Sequence, residues 1–290
     1  MKSQIIYLLI LFVSTSYAND KEWSLKGMKS SKTPSSEQCV FTSQYFSKNS
    51  YVDKKCFFMA LKNSNDRLKA ESEDKKVMVV AYKNAIYISE KISRSNGTEV
   101  KIRVIAGTKS TLNQIQSVDL SVDKKYILVL DQKAAKVFSS YNHGNIGPKK
   151  QISHEKFSSI NRLRFHPNKK DIIAISEKNA KLYLFSLALD SRHPAQRSKI
   201  KAQEFFREET PQLTGPSDVA VSLKRSEIYV LDRLQRKILV YSMKHKEKQE
   251  PLRAISNGKM SFPYSFSFDE KKNQFEVVNE DSSYVFVKNY

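Results

Sequence analysis

One segment recurs along this chain at a nearly fixed spacing, and that recurrence restricts the fold more than any single motif. Each copy has an alternating apolar strand, a turn holding a basic pair, an apolar strand, a polar turn and another alternating strand. The clearest copies are residues 118–131, 163–176, 219–232 and 266–279, and a weaker one leads from Lys75-Lys76 into residues 77–80 and 85–88. The first basic residues of the pairs are Lys75, Lys124, Lys169, Lys224 and Lys271, at intervals of 49, 45, 55 and 47 residues. That period fits the blades of a propeller and is too long for leucine-rich or ankyrin units. The segments are short, β-branched or aromatic and separated by polar turns, which disfavours helical repeats. The best helical stretch is residues 63–72. An all-β chain follows: a β-propeller of four-stranded antiparallel sheets.

Two copies carry a family resemblance. Phe165-His-Pro-Asn-Lys-Lys170, followed by an apolar strand, resembles the F-[SH]-P-[DN]-G-K turn of WD40 and YVTN (lactonase-like) propellers. Leu213-Thr-Gly-Pro-Ser-Asp-Val-Ala-Val221, continuing through residues 228–232 and 237–241, resembles an NHL repeat. Every copy departs from the pattern in lacking the turn glycine, replaced by Lys or Arg, and no Trp-Asp dipeptide occurs. The resemblance implies propeller architecture; it does not select an activity, because many activities share this fold. Five copies are visible, with strand-like residues 39–61 ahead of them and a last copy that ends after about three strands. A ring must bury its edges, so residues 39–61 are expected to pair with the C-terminal blade or to complete another. Six blades is the expectation and five the runner-up; seven would leave too few residues per blade.

Ahead of the repeats, Lys2, an unbroken apolar run over residues 5–13 and Ser16-Tyr17-Ala18 read as a secretory signal peptide, residues 1–18. As a helix that run covers only about 13–14 Å, against a hydrocarbon core of roughly 30 Å. A polar leader, residues 19–37, then precedes a single propeller domain, residues 38–290. In an exported chain the two cysteines, Cys39 and Cys56, are expected to form a disulfide. The formal charge is +20, or +19 once Lys2 leaves with the signal. Outside the cytoplasm this charge favours an acidic protein, an envelope polyanion or lipid headgroups as partner, rather than nucleic acid.

The repeat places its charges on two faces. The turns holding Lys75/Lys76, Lys124/Lys125, Lys169/Lys170, Lys224/Arg225 and Lys271/Lys272 should ring one face as a candidate docking surface; exposed hairpin turns also favour polar residues for their own sake. On the opposite face, Asp131, Glu177, Asp232 and Asn279-Glu280 stand at or just past the ends of the second strands. Oxygen ligands at a channel mouth suit Ca²⁺, and Asp131, Glu177, Asp232 and Glu280 are the candidate ligands. The competing role for such an Asp is to hydrogen-bond the backbone beside it. The five histidines show no zinc spacing, and there is no G-x-S-x-G elbow or phosphate-binding glycine loop. The leading functional expectation is an exported, non-enzymatic propeller that binds a protein or polyanion. The alternative is a metal-assisted lactone or ester hydrolase working at the acidic mouth.

Overall fold

The computed structural model describes residues 50–290 except 96, 169–170, 188–201, 205–212, 244–249, 280–282 and 288–290. These residues form one helix, α1 (Ser50–Asn63), and five antiparallel sheets in chain order. The first sheet holds Lys69–Glu71, Val77–Tyr82, Ala85–Arg94 and Gly97–Ile105; the second holds Ile115–Leu120, Tyr126–Asp131, Ala134–Ser139 and Lys150–Ser153. Arg162–Phe165, Asp171–Ser176, Lys181–Ser186 and Ala202–Glu204 make the third. Pro216–Ser222, Glu227–Asp232, Lys237–Ser242 and Arg253–Ile255 make the fourth. The fifth has three strands, Ser265–Asp269, Gln274–Val278 and Ser283–Val287. The first strand of each sheet packs beside the first strand of the next, which is the inner lining that a propeller requires.

Burial explains why the second strands read as continuous apolar runs. Val79 and Ile86 pack toward Val118, Ile127 and Val129 of the second sheet, and similar clusters join the second sheet to the third, the third to the fourth and the fourth to the fifth. A strand with a neighbouring sheet on each side has no polar face. The fifth sheet differs. In Gln274–Val278, Phe275 and Val277 are buried against the fourth sheet, but Gln274 and Glu276 are only half-buried and Val285 is exposed. Its far face therefore alternates polar residues into the pattern.

At the other end, α1 covers the free face of the first sheet. Cys56, Phe57, Ala60 and Leu61 lie on one helical face, and all are buried against Met78, Val80, Tyr87 and Val104. This corrects two expectations. Residues 56–61 are helical rather than a strand, because their apolar positions follow the helical spacing. Residues 63–72 are a 3-10 turn (Asp66–Leu68) leading into a strand, not a helix. No sixth sheet is present among the described residues, and the described part of the stretch expected to supply it, residues 50–61, is helical. Cys56 is disulfide-bonded; Cys39, its expected partner, lies outside the described residues.

The missing turn glycines have a direct structural counterpart. Lys75, Lys124, Ser226 and Asn273 in the first hairpins, and Lys83, Gln132, Ala180 and Arg236 in the second, sit in the left-handed region with φ of 50–61°. These are the seats that glycine would fill at least cost. The chain keeps the turn geometry and accepts the strain.

Candidate active site

The innermost strands bring four equivalent positions together. Ser117, Arg162, Asp218 and Ser265 pair across their hairpins with Leu130, Ile175, Leu231 and Val278, each the residue just before the same repeat position, Asp131, Ser176, Asp232 or Asn279. Asp218 is fully buried. It accepts two bonds from Arg164, Nε at 2.9 Å and Nη2 at 2.8 Å, and others from Ser265 Oγ at 2.9 Å and the Phe266 amide at 3.1 Å. Arg164 also donates to Asp119 at 2.9 Å, and Asp119 accepts the Phe165 amide at 2.7 Å. Arg162 is fully buried, with Nε 3.1 Å from Asp218 Oδ1 but poorly aligned, and Nη2 donating to Ser265 at 3.1 Å. Its Nη1 has no hydrogen-bond partner among the described residues.

The charges respond to this packing. Burial pushes the Asp218 carboxyl up, but the Arg162 and Arg164 guanidinia outweigh it and hold the group below the usual carboxylate range. Burial also pulls Arg164 down, and Asp218 and Asp119 overcome that to raise it. Arg162 is the loser: burial, then the like charge of Arg164, lowers it to about 10 despite Asp218 and Asp119. The interior of the array is thus a packed ionic cluster.

Above that cluster one carboxylate gathers groups from three sheets. Glu177 follows the second strand of the third sheet. Arg67, in the turn entering the first sheet, donates Nη2 to Glu177 Oε2 at 3.3 Å, and Asn161 Nδ2 donates to the same oxygen at 3.1 Å. Arg233, from the second hairpin of the fourth sheet, places Nη1 3.7 Å from Glu177 Oε1. All three charged side chains are partly open to solvent, between 27% and 30% exposed. The mouth therefore presents a reachable carboxylate between two guanidinia, with net positive charge. Such a set can bind an anion, hold a developing oxyanion and accept a proton.

Of the four acids expected there from the sequence, only Glu177 takes this position among the described residues. Asp131 accepts the Asn113 and Gln114 amides, at 3.2 and 2.6 Å, and pairs with the buried Lys136. Asp232 accepts the Thr214 amide at 2.7 Å, the Thr214 hydroxyl at 3.0 Å and the amides of Gly215 and Gln235. Each latches the loop entering its own sheet, the backbone-bonding role. Glu280 lies outside the described residues. No group of three or more His, Cys, Asp or Glu side chains that could hold a metal ion exists among the described residues, and Asp131, Glu177 and Asp232 are engaged separately. Arg67, Asn161, Arg162, Arg164, Asp218 and Arg233 were missed by sequence reasoning. For Arg162 and Arg164 a signal was there, Arg162 standing where the other copies have Ser117, Asp218 and Ser265.

The basic doublets sit on the first hairpins, opposite the mouth, and these hairpins touch. Lys124 Nζ reaches Asp74 at 2.6 Å, Lys271 reaches Glu73 at 3.3 Å, Arg225 donates to Asn273 at 3.0 Å and Ser222 bonds Glu270. Lys272 pairs with Asp269 at 3.2 Å. Lys169 and Lys170 lie outside the described residues.

Repeated four-stranded antiparallel sheets around an inner lining define the class: a β-propeller protein with a polar axial mouth. The family is named by the match over residues 62–289 to the model described as Lactonase, 7-bladed beta-propeller, and the chain belongs to that family. The family is seven-bladed, whereas the matched stretch here holds five described sheets, neither number being the six expected. Solved structures agree on the fold. A functionally unknown protein from Desulfotomaculum acetoxidans DSM 771 aligns with TM-score 0.51 at 14% identity, over 78% of this chain and 71% of its own. A Lactobacillus plantarum protein aligns with TM-score 0.52 at 14% identity, over 76% and 66%. The Myceliophteria thermophila Cps50 (Swd1) beta-propeller domain gives 0.51 at 10% identity, over 76% and 64%. The chain thus spans about two thirds of these proteins. No curated protein matches it.

Proposed function

We propose that this chain hydrolyses an anionic lactone at the axial mouth, with Glu177 as general base and Arg67 and Arg233 as binding and oxyanion-stabilising groups. The observation that carries the reading is the convergence of these three residues, from three different sheets, in a member of the lactonase family. The family membership favours the enzyme over the non-enzymatic scaffold that the sequence put first. Water attacking the lactone carbonyl carbon would lose its proton to Glu177 as the carbonyl oxygen gains charge facing the guanidinia; the ring C–O bond then breaks to release a hydroxy acid. Two guanidinia around one carboxylate leave a positive charge to recognise a phosphate or carboxylate elsewhere on the substrate.

The test is acid release from a panel of sugar lactones with and without an anionic substituent. Anionic lactones are expected to be preferred, with Glu177→Gln lowering kcat on the order of 10²–10⁴-fold and Arg67→Ala raising KM. No turnover of any lactone, or full activity in Glu177→Gln, would sink the proposal. Export of the mature chain belongs to the same reading, supported by the signal-like residues 1–18 and by an oxidised Cys56.

A further inference from the structure

The face opposite the mouth carries charge and apolar groups together. Lys75, Lys76, Lys125 and Lys224 are exposed, and none of their ammonium groups joins an ion pair among the described residues, in contrast to Lys124, Lys271 and Lys272. At the same turns, Val122 is 67% exposed and Leu223 is 49% exposed, each two residues or fewer from a doublet. Tyr141 is 61% exposed and follows Ser140, whose amide donates to the Lys125 carbonyl at 3.0 Å. Large apolar side chains at the tips of tight turns add nothing to stability in water, and these stand close in sequence to the exposed Lys125 and Lys224, on turns that also carry Asp74, Asp123 and Asp269.

We infer that this face docks on an anionic lipid bilayer, with the free lysines over the headgroups and Val122, Leu223 and Tyr141 entering the interface. The apolar tips decide between bilayer and polymer. A soluble polyanion gains from the cations alone, whereas a membrane interface also takes up apolar and aromatic tips. Binding from this face leaves the axial mouth pointing away from the membrane, open to a water-borne substrate, and the two roles are independent.

Co-sedimentation of the mature chain with vesicles of phosphatidylcholine, with and without phosphatidylglycerol, tests this. Binding is expected only with phosphatidylglycerol and should weaken with salt. Lys76→Ser with Lys125→Ser should lower partitioning by roughly fivefold per cation. Val122→Ser with Leu223→Ser should lower vesicle binding while leaving heparin binding unchanged; as exposed positions, both sets should keep the wild-type melting temperature. Absence of binding to phosphatidylglycerol vesicles overturns the inference. So does vesicle binding indifferent to the Val122 and Leu223 changes, which would assign the face to a soluble polyanion.

Discussion

Asp218→Asn and Arg162→Met should differ sharply in cost, although the two residues are partners in one buried contact. Asp218 is the hub: removing its charge leaves the buried Arg162 and the part-buried Arg164 side by side, with only Asp119, held by Arg164, as a remaining counter-charge. Breaking a buried pair from that side costs about 3–5 kcal/mol. Arg162 contributes far less. Its Nε approach to Asp218 is misaligned, its Nη1 has no partner among the described residues, and one bond to Ser265 is lost on truncation. That bond is worth about 1 kcal/mol, and it is offset by relief of guanidinium burial and of repulsion from Arg164. Asp218 meanwhile keeps Arg164, Ser265 and the Phe266 amide. At about 2–4 °C per kcal/mol for a domain of this size, Asp218→Asn should lower the melting temperature by roughly 6–20 °C, and Arg162→Met by no more than about 4 °C. Scanning calorimetry at neutral pH separates the two. Equal losses, or a larger loss for Arg162→Met, would refute the asymmetry and with it the reading of Asp218 as the hub.

Two further predictions follow from the turns. His166 accepts the Asn168 amide on Nδ1 at 3.2 Å, and burial lowers its pKa below the ordinary 6.5. The unfolded chain therefore takes up this proton first, so stability should fall as pH drops below 6.5 toward the folded value, and His166→Asn should flatten that slope in urea melts between these pH values. Ser226, at φ 53° in the first hairpin of the fourth sheet, forms no side-chain bond among the described residues, so Ser226→Gly should stabilise by about 0.5–1 kcal/mol. A lower melting temperature for that variant would show that the left-handed seat carries no strain.

The blades were legible in the sequence because their signal is periodic: the doublets mark hairpins whose register the strands keep. What the sequence concealed was the treatment of the two ends. Cys56-Phe57 and Ala60-Leu61 read as strand material when judged by composition, and only their spacing, one helical turn apart, betrays the helix that covers the first sheet. The fifth sheet's alternation in Gln274–Val278 was visible, but its meaning depends on the far face joining no apolar cluster with another sheet among the described residues.

The site was half legible. Asp131, Ser176, Asp232 and Asn279 share a repeat position, where the sequence singled out Asp131, Asp232 and Asn279 but took Glu177, one residue on, in place of Ser176. Its work is latching: Asp131 and Asp232 tie down entry loops, Ser176 donates to the Ser159 carbonyl at 3.0 Å and Asn279 to the Lys259 carbonyl at 2.9 Å. Glu177 lies one residue further on, outside the latch, and is therefore available to the mouth. Arg67 and Arg233 could not be assigned from the chain because they come from sheets far apart in sequence, and only the circular arrangement brings them to one carboxylate.

The central claim is that Glu177, Arg67 and Arg233 together form a lactone-handling mouth. A crystal structure of Glu177→Gln soaked with an anionic sugar lactone tests it most directly. The account predicts the lactone in the mouth, its carbonyl oxygen hydrogen-bonded to Arg67 or Arg233 and residue 177 beside the carbonyl carbon. A lactone bound elsewhere on the molecule, or a mouth that stays empty while both arginines remain on residue 177, would contradict it.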